Sequence, residues 1–305
     1  MRICSLVSAA TEILFALGVG DQVVGVTEEC DYPAVAKARP AVVHPRIDPA
    51  ASSARIDREV REQAQRGESS YAVDAEMLRA LEPDLIVTQD TCHVCAAYPD
   101  DLTAALGRLR RQPRVVSLGP KRLADLWSDI RALGQATGRR AAAETLIKRL
   151  KARLERVEAA MRGAPRPRVL CLEWLDPPFV GGHWVPEMVD LAGGHPALGQ
   201  AGKPSTQIEW HDVFTSAPEA VVLMPCGYNL DRTLAEYIHM ALPKQWWELD
   251  AVRDGRVSAV NGKNFFSRPG PRLIDGIEIL GHVLHPDRAT WLIPPGSVAP
   301  AERAP

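Results

Sequence analysis

Apolar residues recur at spacings of three and four through residues 139–163, at Leu146, Leu150, Leu154, Val157 and Met161. Positions spaced in that way share one face of an α-helix. Opposite charges stand four apart around the stripe, as Glu144/Lys148, Lys151/Glu155 and Glu158/Arg162, which is what a solvated outer face carries. Nothing interrupts the pattern until Gly163, which is followed by Pro165 and Pro167. The stretch predicts one long helix. At ~1.5 Å per residue it would measure roughly 35 Å, about the width of a small domain.

Short apolar runs alternate with helical patterns on both sides of it. Arg2–Val7, Val23–Val26, Leu85–Thr88 and Val115–Leu118 read as strands before the long helix; Val169–Leu172, Ala220–Met224 and Arg256–Val260 read as strands after it. The first helix is expected over Ala9–Leu17, with Ser8 as its N-cap and Gly18 as its stop. Further helices are expected at Ile56–Arg66, Ala75–Leu81, Asp101–Leu109, Leu123–Thr137, Pro186–Leu191, Asp212–Ser216, Thr233–Met240 and Arg272–Leu284. The rest of residues 34–69 is polar and irregular, and the tail after Pro294, rich in Pro, Ala and Gly, reads as disordered.

The two sides can be laid over one another. Glu76–Thr88 matches His211–Leu223, with Pro83 over Pro218. The organisation expected is α/β: two doubly wound α/β lobes, residues 1–120 and 164–290, joined through a helical linker at 121–163 whose single long helix forms a spine, with a tail at 291–305. Strands of such sheets bind ligands at their carboxyl ends. Four loops, 27–33, 89–98, 173–184 and 225–229, should therefore face a common ligand cleft.

Composition narrows the function classes. The 305 residues suffice for two domains, and 24% charged with 46% hydrophobic residues is ordinary for a soluble globular chain. A net charge of -2 offers no electrostatic case for nucleic acid or an anionic membrane. No apolar run is long enough to span a bilayer, so no membrane insertion is expected. The N-terminal residues pass straight into a strand without the parts of a signal peptide. The expected location is cytoplasmic, or periplasmic if the chain starts after a removed signal. No catalytic elbow, phosphate loop or His-Glu-x-x-His helix is present, so the chain reads as a non-enzyme.

Cysteines and histidines carry the candidate chemistry. Cys92 and Cys95 have the spacing of a metal grip or a redox pair, and Cys30 and Cys226 also follow strands. Four thiolates would suit Zn or an Fe–S cluster; the alternative is that Cys30 and Cys226 are unpaired loop cysteines. Cys4 and Cys171 sit within strands and read as small core residues. His93, His183 and His211 lie on cleft-side segments and could ligate a metal, or serve structure. Glu173 directly follows an apolar strand, where a carboxylate must meet solvent, a cation or a donor. Glu173-Trp174 and His183-Trp184 together form polar and aromatic lining, whereas Trp246 and Trp247 read as packing. Arg268 precedes a proline-stiffened turn and is a candidate anchor for a polar ligand oxygen, or a residue that orders the loop; Arg272 reads as structural.

These residues also resemble a family. Ser8-Ala-Ala-Thr-Glu-Ile-Leu, Leu81-Glu-Pro-Asp-Leu-Ile-Val, Asp176-Pro-Pro-Phe and Asn264-Phe-Phe-Ser-Arg-Pro-Gly-Pro-Arg272 are similar to segments of the helical-backbone periplasmic binding proteins of the iron-chelate and vitamin B12 type. Thr88–Cys95, Cys171–Phe179 and Gly182–Glu187 bring the chain nearest to the signal-less subgroup of cobalamin-binding proteins. The resemblance covers Arg2 to about Pro286. It implies a substrate-binding protein that holds cobalamin, another corrinoid or a related metal chelate between two lobes and hands it to an ABC permease. Residue by residue, it implies ligand contacts at Phe179, Asn264 and Arg268. Three tryptophan positions of the family's B12 pocket fall on Ser70, Gln89 and Ser205, which removes three aromatic surfaces. Of the two glutamates with which the family meets its permease, one matches Glu76; the other falls on His211, with Glu209 and Asp212 near it.

Overall fold

The computed structural model describes residues 1–90 and 99–302. They fall into two compact units: residues 1–120 with 124–149, and residues 121–123 with 150–305.

The first unit begins with β1 (Ile3–Ser5), α1 (Ser8–Ala16), β2 (Val23–Thr27), β3 (Ala41–Pro45), α2 (Ser53–Gln65), β4 (Tyr71–Val73) and α3 (Ala75–Leu81). β5 (Leu85–Gln89), α4 (Pro99–Leu106), β6 (Arg114–Leu118) and α5 (Asp125–Ala136) complete it, followed by α6 (Arg140–Met161). Its sheet has the order β4-β3-β2-β1-β5-β6 and is parallel except for the edge pair β3/β4. Ser8 lies inside α1 rather than capping it; Val7 holds the cap position in extended backbone without a side-chain bond. β3 and β4 arise within and just beyond the stretch expected to be irregular. Their apolar content is small, and pairing in the sheet supplies what the pattern lacks: Val42 and Val43 are buried with Cys4, Ile86 and Leu78.

α6 is the expected long helix, and it runs unbroken past the division at residue 149. Its predicted stripe is buried, from Val157 at 0% exposure to Leu154 at 9%. One charge on the other face is used differently from the expectation: Glu144 accepts two bonds from Arg131 of α5, at 2.7 and 3.2 Å.

The second unit follows the end of α6 with β7 (Arg168–Leu175), β8 (Pro178–Val180), α7 (Val185–Leu191), β9 (His195–Pro196), β10 (Thr206–Gln207) and α8 (Trp210–Thr215). It closes with β11 (Ala220–Leu223), α9 (Leu230–His239), α10 (Asp250–Arg253), β12 (Val257–Val260), α11 (Gly262–Phe265), α12 (Leu273–Leu284) and β13 (Val298–Pro300). The sheet order is β10-β8-β7-β11-β12-β13, with β9 also on β7. β7, β11 and β12 form a parallel centre flanked by antiparallel pairs. Two expectations are corrected here. Much of the expected loop 173–184 is a β7/β8 hairpin, and part of the expected disordered tail is β13, whose backbone pairs with β12 and whose neighbours Ser297 and Ala301 are buried.

The repeat read from Pro83 and Pro218 has a physical counterpart in each unit. Glu82 and Ala217, the residues just before these prolines, both close their helices at a φ of 41°. Asp84 Oδ2 then accepts from Arg2 N at 2.8 Å, and Glu219 Oε2 accepts from Arg168 N at 2.9 Å. The two arginines complete the device by donating Nε to the helix ends, at Leu81 O and Ala217 O. Each unit thus ties the start of its first strand to the same helix–strand junction. Among the described residues no helix is long and apolar enough to cross a membrane.

Candidate functional site

The carboxyl ends of β7, β11 and β12 lie side by side because the three strands are parallel neighbours. Glu173 and Trp174 stand near the end of β7. Cys226 N donates to Glu173 O at 2.9 Å, which brings the loop after β11 alongside. Lys263 N donates to Tyr228 O at 2.8 Å, which adds α11 after β12. Asn261 caps that short helix by accepting from Asn264 N at 3.1 Å.

Glu173 is fixed by a hydroxyl. Its Oε2 accepts from Ser205 Oγ at 2.7 Å, and the same Oγ accepts from Gly182 N at 3.2 Å. The close approach depends on glycine, since a Cβ at Gly182 would lie 2.5 Å from Lys203 O and from the backbone of Ser205. His183 N donates to Lys203 O and Gly202 N donates to His183 O, so residues 202–205 are clamped onto the turn that follows β8. His183 itself adopts a φ of 49°, and its ring lies 5.4 Å from that of Trp184. Burial, and then the charge of Lys121, lowers the pKa of its imidazole.

Aromatic residues gather on the same strands. Trp174 and Phe179 are direct partners across the β7/β8 hairpin, and Gln207 of β10 is opposite Phe179. Residues opposite one another in this way share a face of the sheet. Tyr228 meets Trp174 edge-on with ring centroids 5.2 Å apart, and the Arg232 guanidinium lies over the Tyr228 ring at 3.7 Å. Tyr228 is 2% exposed and backs this pair from within, so it is the half-buried Trp174 and Phe179 that can take a flat apolar ligand.

Other aromatic and basic residues of the second unit lie mostly in its interior. Trp184 is 6% exposed and spends its Nε1–H on Phe266 O at 2.7 Å, so it pins the chain before Arg268. Arg268 is 7% exposed. Trp246 is fully buried, with Nε1 donating to Tyr237 Oη, and Trp247 packs on the same core. Ser205, at a position expected to have lost an aromatic surface, is the residue that holds Glu173. Tyr228 and Arg232 were not among the expected site residues; the signal for Tyr228 was its place in the 225–229 loop after an apolar strand.

In the first unit Cys30 is buried, its Sγ 3.1 Å from Thr11 Oγ1, which in turn donates to Ser5 Oγ at 2.8 Å. Cys4 and Cys171 lie buried in β1 and β7; burial pushes the Cys4 thiol up to about 12 and raises Cys171 as well, so neither supplies a thiolate at neutral pH. Cys226 is partly exposed. Cys92, His93 and Cys95 lie outside the described residues, and among those described no three His, Cys, Asp or Glu side chains are grouped to hold a metal. At the carboxyl ends of β5 and β6, Asp90 lies over Gly119, where a Cβ would be 2.6 Å from Asp90 Oδ1. Asp129 of α5 is 8% exposed; burial, then Asp125 and Asp90, push its carboxyl up to about 7. Gln89 ends β5, and Ser70 is buried with its carbonyl accepting from Arg46 N.

Glu76 is exposed in the first turn of α3 and pairs with its own Arg79 at 2.6 Å. His211 is exposed on α8, where Glu209 and Asp212 are engaged with each other's backbone in a capping box.

Residues 3–262 match the family described as Periplasmic binding protein. The chain belongs to that family. Among its relatives, a vitamin B12-binding protein of Vibrio cholerae is 24% identical over 91% of this chain and 86% of its own length. An ABC transporter substrate-binding lipoprotein of Bacillus subtilis is 24% identical over 94% of this chain and 80% of its own. The fold is shared with the crystal structure of the periplasmic vitamin B12 binding protein of Vibrio cholerae, at a TM-score of 0.68 and 23% identity over 93% and 96% of the two chains. It is shared equally with a periplasmic heme binding protein of Pseudomonas aeruginosa, at a TM-score of 0.72 and 22% identity over 96% and 95%.

Proposed function

We propose that this periplasmic-binding-protein family member binds a corrinoid or a related metal chelate, without transforming it, as the substrate-binding component of an ABC importer. The observation that carries this reading is the half-buried pair Trp174 and Phe179, opposite each other on β7 and β8, together with half-buried Glu173 of the same strand, at the strand ends where α/β sheets take ligands. The names of its relatives support the same ligand class, with both a corrinoid and a haem among them. His183, whose pKa burial lowers, is the side chain of this segment that could donate a nitrogen to a chelated metal. Glu76, exposed on α3, is the side chain through which we propose contact with a permease.

Calorimetry and visible absorption with cyanocobalamin, hydroxocobalamin and haemin test the reading. Binding of one of these is expected, and Trp174→Ala or Phe179→Ala is expected to weaken it by about tenfold or more through lost apolar contact. No heat and no spectral change with any of the three at high micromolar concentration overturns it.

A further inference from the structure

Residues 121–123 follow β6 in the chain, yet they belong to the second unit. One carboxylate holds them there. Glu187, in the first turn of α7 with its side chain 24% exposed, accepts from Leu123 N at 2.7 Å through Oε2 and from Arg122 Nη1 at 3.1 Å through Oε1. An exposed ion pair alone contributes little, whereas a backbone N–H donating to an ionised carboxylate fixes the position of the chain. Arg122 also donates Nη2 to Ala201 O at 3.3 Å, and it lies so close to Gly202 that a Cβ there would be 2.8 Å from its Nε. Gly202 N donates in turn to His183 O at 2.8 Å, and His183 N to Lys203 O. The segment is thus joined, contact by contact, to the turn that carries His183, and Gly182 and Ser205 link the same turn to Glu173.

This clamp carries three basic side chains. Lys121 adjoins Arg122, Lys203 is the residue whose carbonyl His183 N meets, and His183 is half-buried while both lysines are exposed. Lys121 is near enough for its charge, after burial, to lower the His183 pKa. The two carboxylates bonded to the network are engaged, Glu187 with Arg122 and Leu123, and Glu173 with Ser205. Basic charge beside a ligand surface favours an anionic group on the ligand. We propose that Glu187 is a positioning residue that straps residues 121–123 onto the second unit, and that Lys121, seated by it, joins His183 and Lys203 in a corner that takes an anionic oxygen group of the ligand, a phosphodiester or a carboxylate; the ligand part rests on the binding role proposed above.

Two measurements test this. The first is the pKa of the His183 ring by NMR titration. Lys121→Met should raise it by removing a neighbouring cation. Glu187→Ala should raise it too, because the released strap carries Lys121 away; loss of a carboxylate without that movement would lower it. The double variant should show no larger rise than Lys121→Met alone. Glu187→Gln, which keeps one acceptor for Leu123 N, should give a smaller rise and serves if the alanine variant does not fold. An unchanged or lowered His183 pKa in the folded variant overturns the positioning role.

The second is calorimetry with two matched pairs of probes: cyanocobalamin against dicyanocobinamide, which lacks the phosphodiester, and haemin against its dimethyl ester, which lacks free carboxylates. The wild-type protein is expected to bind the anionic member of one pair at least about fivefold more tightly, and the pair concerned identifies the source of the anion. Lys121→Met should reduce that preference to about twofold or less. No preference within either pair, or a preference that Lys121→Met leaves unchanged, overturns the anionic corner and leaves the binding role standing. Failure to bind any of the four probes overturns the binding role and the corner with it, and the His183 titration still decides the strap.

Discussion

At the end of β7 the Glu173 carboxylate accepts from the Ser205 hydroxyl, which itself accepts from a backbone N–H. Removing that hydroxyl takes one hydrogen bond from a half-buried carboxylate and one from the Gly182 amide. Ser205→Ala is expected to cost about 1 kcal/mol of stability and about fivefold in ligand affinity, measured by urea unfolding and calorimetry. Asp129 makes a prediction of a different sign. The folded protein keeps its proton up to about pH 7, whereas the unfolded chain loses it at the ordinary carboxylate value of 3.8. Between those values the native state binds more protons, so stability falls as pH rises through that window and the whole loss is in place above it. Urea unfolding at pH 5 and pH 8 should show this slope, and Asp129→Asn should flatten it and leave the protein more stable at pH 8. At this scale β7 runs on through Leu175 and includes both Glu173 and Trp174, whereas the sequence put them in a loop after a strand. It could not point to Ser205, because the partner of Glu173 lies 32 residues away and is chosen by the clamp of residues 202–205 on Gly182.

Among the elements, α6 was the most legible. A stripe of apolar residues over a run free of Pro and Gly is local information, and the helix extends over 22 residues of the stretch that shows it. Its polar partners were less legible. Arg153 donates to Asp275 and Glu278 of α12, and Arg156 donates to Glu278, which is 3% exposed. Burial would lower the Arg153 pKa, but the bonds from Glu278 and Asp275 outweigh it and the pKa is raised. Glu278→Ala would leave Arg153 partly buried beside a lost partner. The expected cost is about 3 kcal/mol, seen as a drop in thermal midpoint of roughly 5–10 °C; Arg156, more than half exposed, adds little to it. Short strands were the hardest elements to read. β3, β8 and β13 have only 5, 3 and 3 residues, and each exists because a neighbouring strand accepts it. A pattern along the chain contains no record of that neighbour.

For the whole molecule, the alternation of strands and helices on both sides of α6 is enough to state an α/β architecture, and the family match over residues 3–262 agrees with it. A ligand that binds only the folded form should stabilise it by mass action. At one hundred times its dissociation constant, cyanocobalamin is expected to add about 2.7 kcal/mol, raising the thermal midpoint in scanning calorimetry; no shift at saturation would count against it as the ligand. The sequence by itself determined what depends on near neighbours: the long helix, the central strands, and the junctions at Pro83 and Pro218, where a short motif sets the backbone. Only the tertiary structure decided which side chains became partners. Arg2 with Asp84, Arg168 with Glu219 and Ser205 with Glu173 are pairs far apart in the chain. So are the contacts that bring Tyr228 to Trp174 and to Lys263. Hydrogen bonds and ring contacts act over a few ångströms of space whatever the separation along the chain, and sheet pairing is what brings those residues within range.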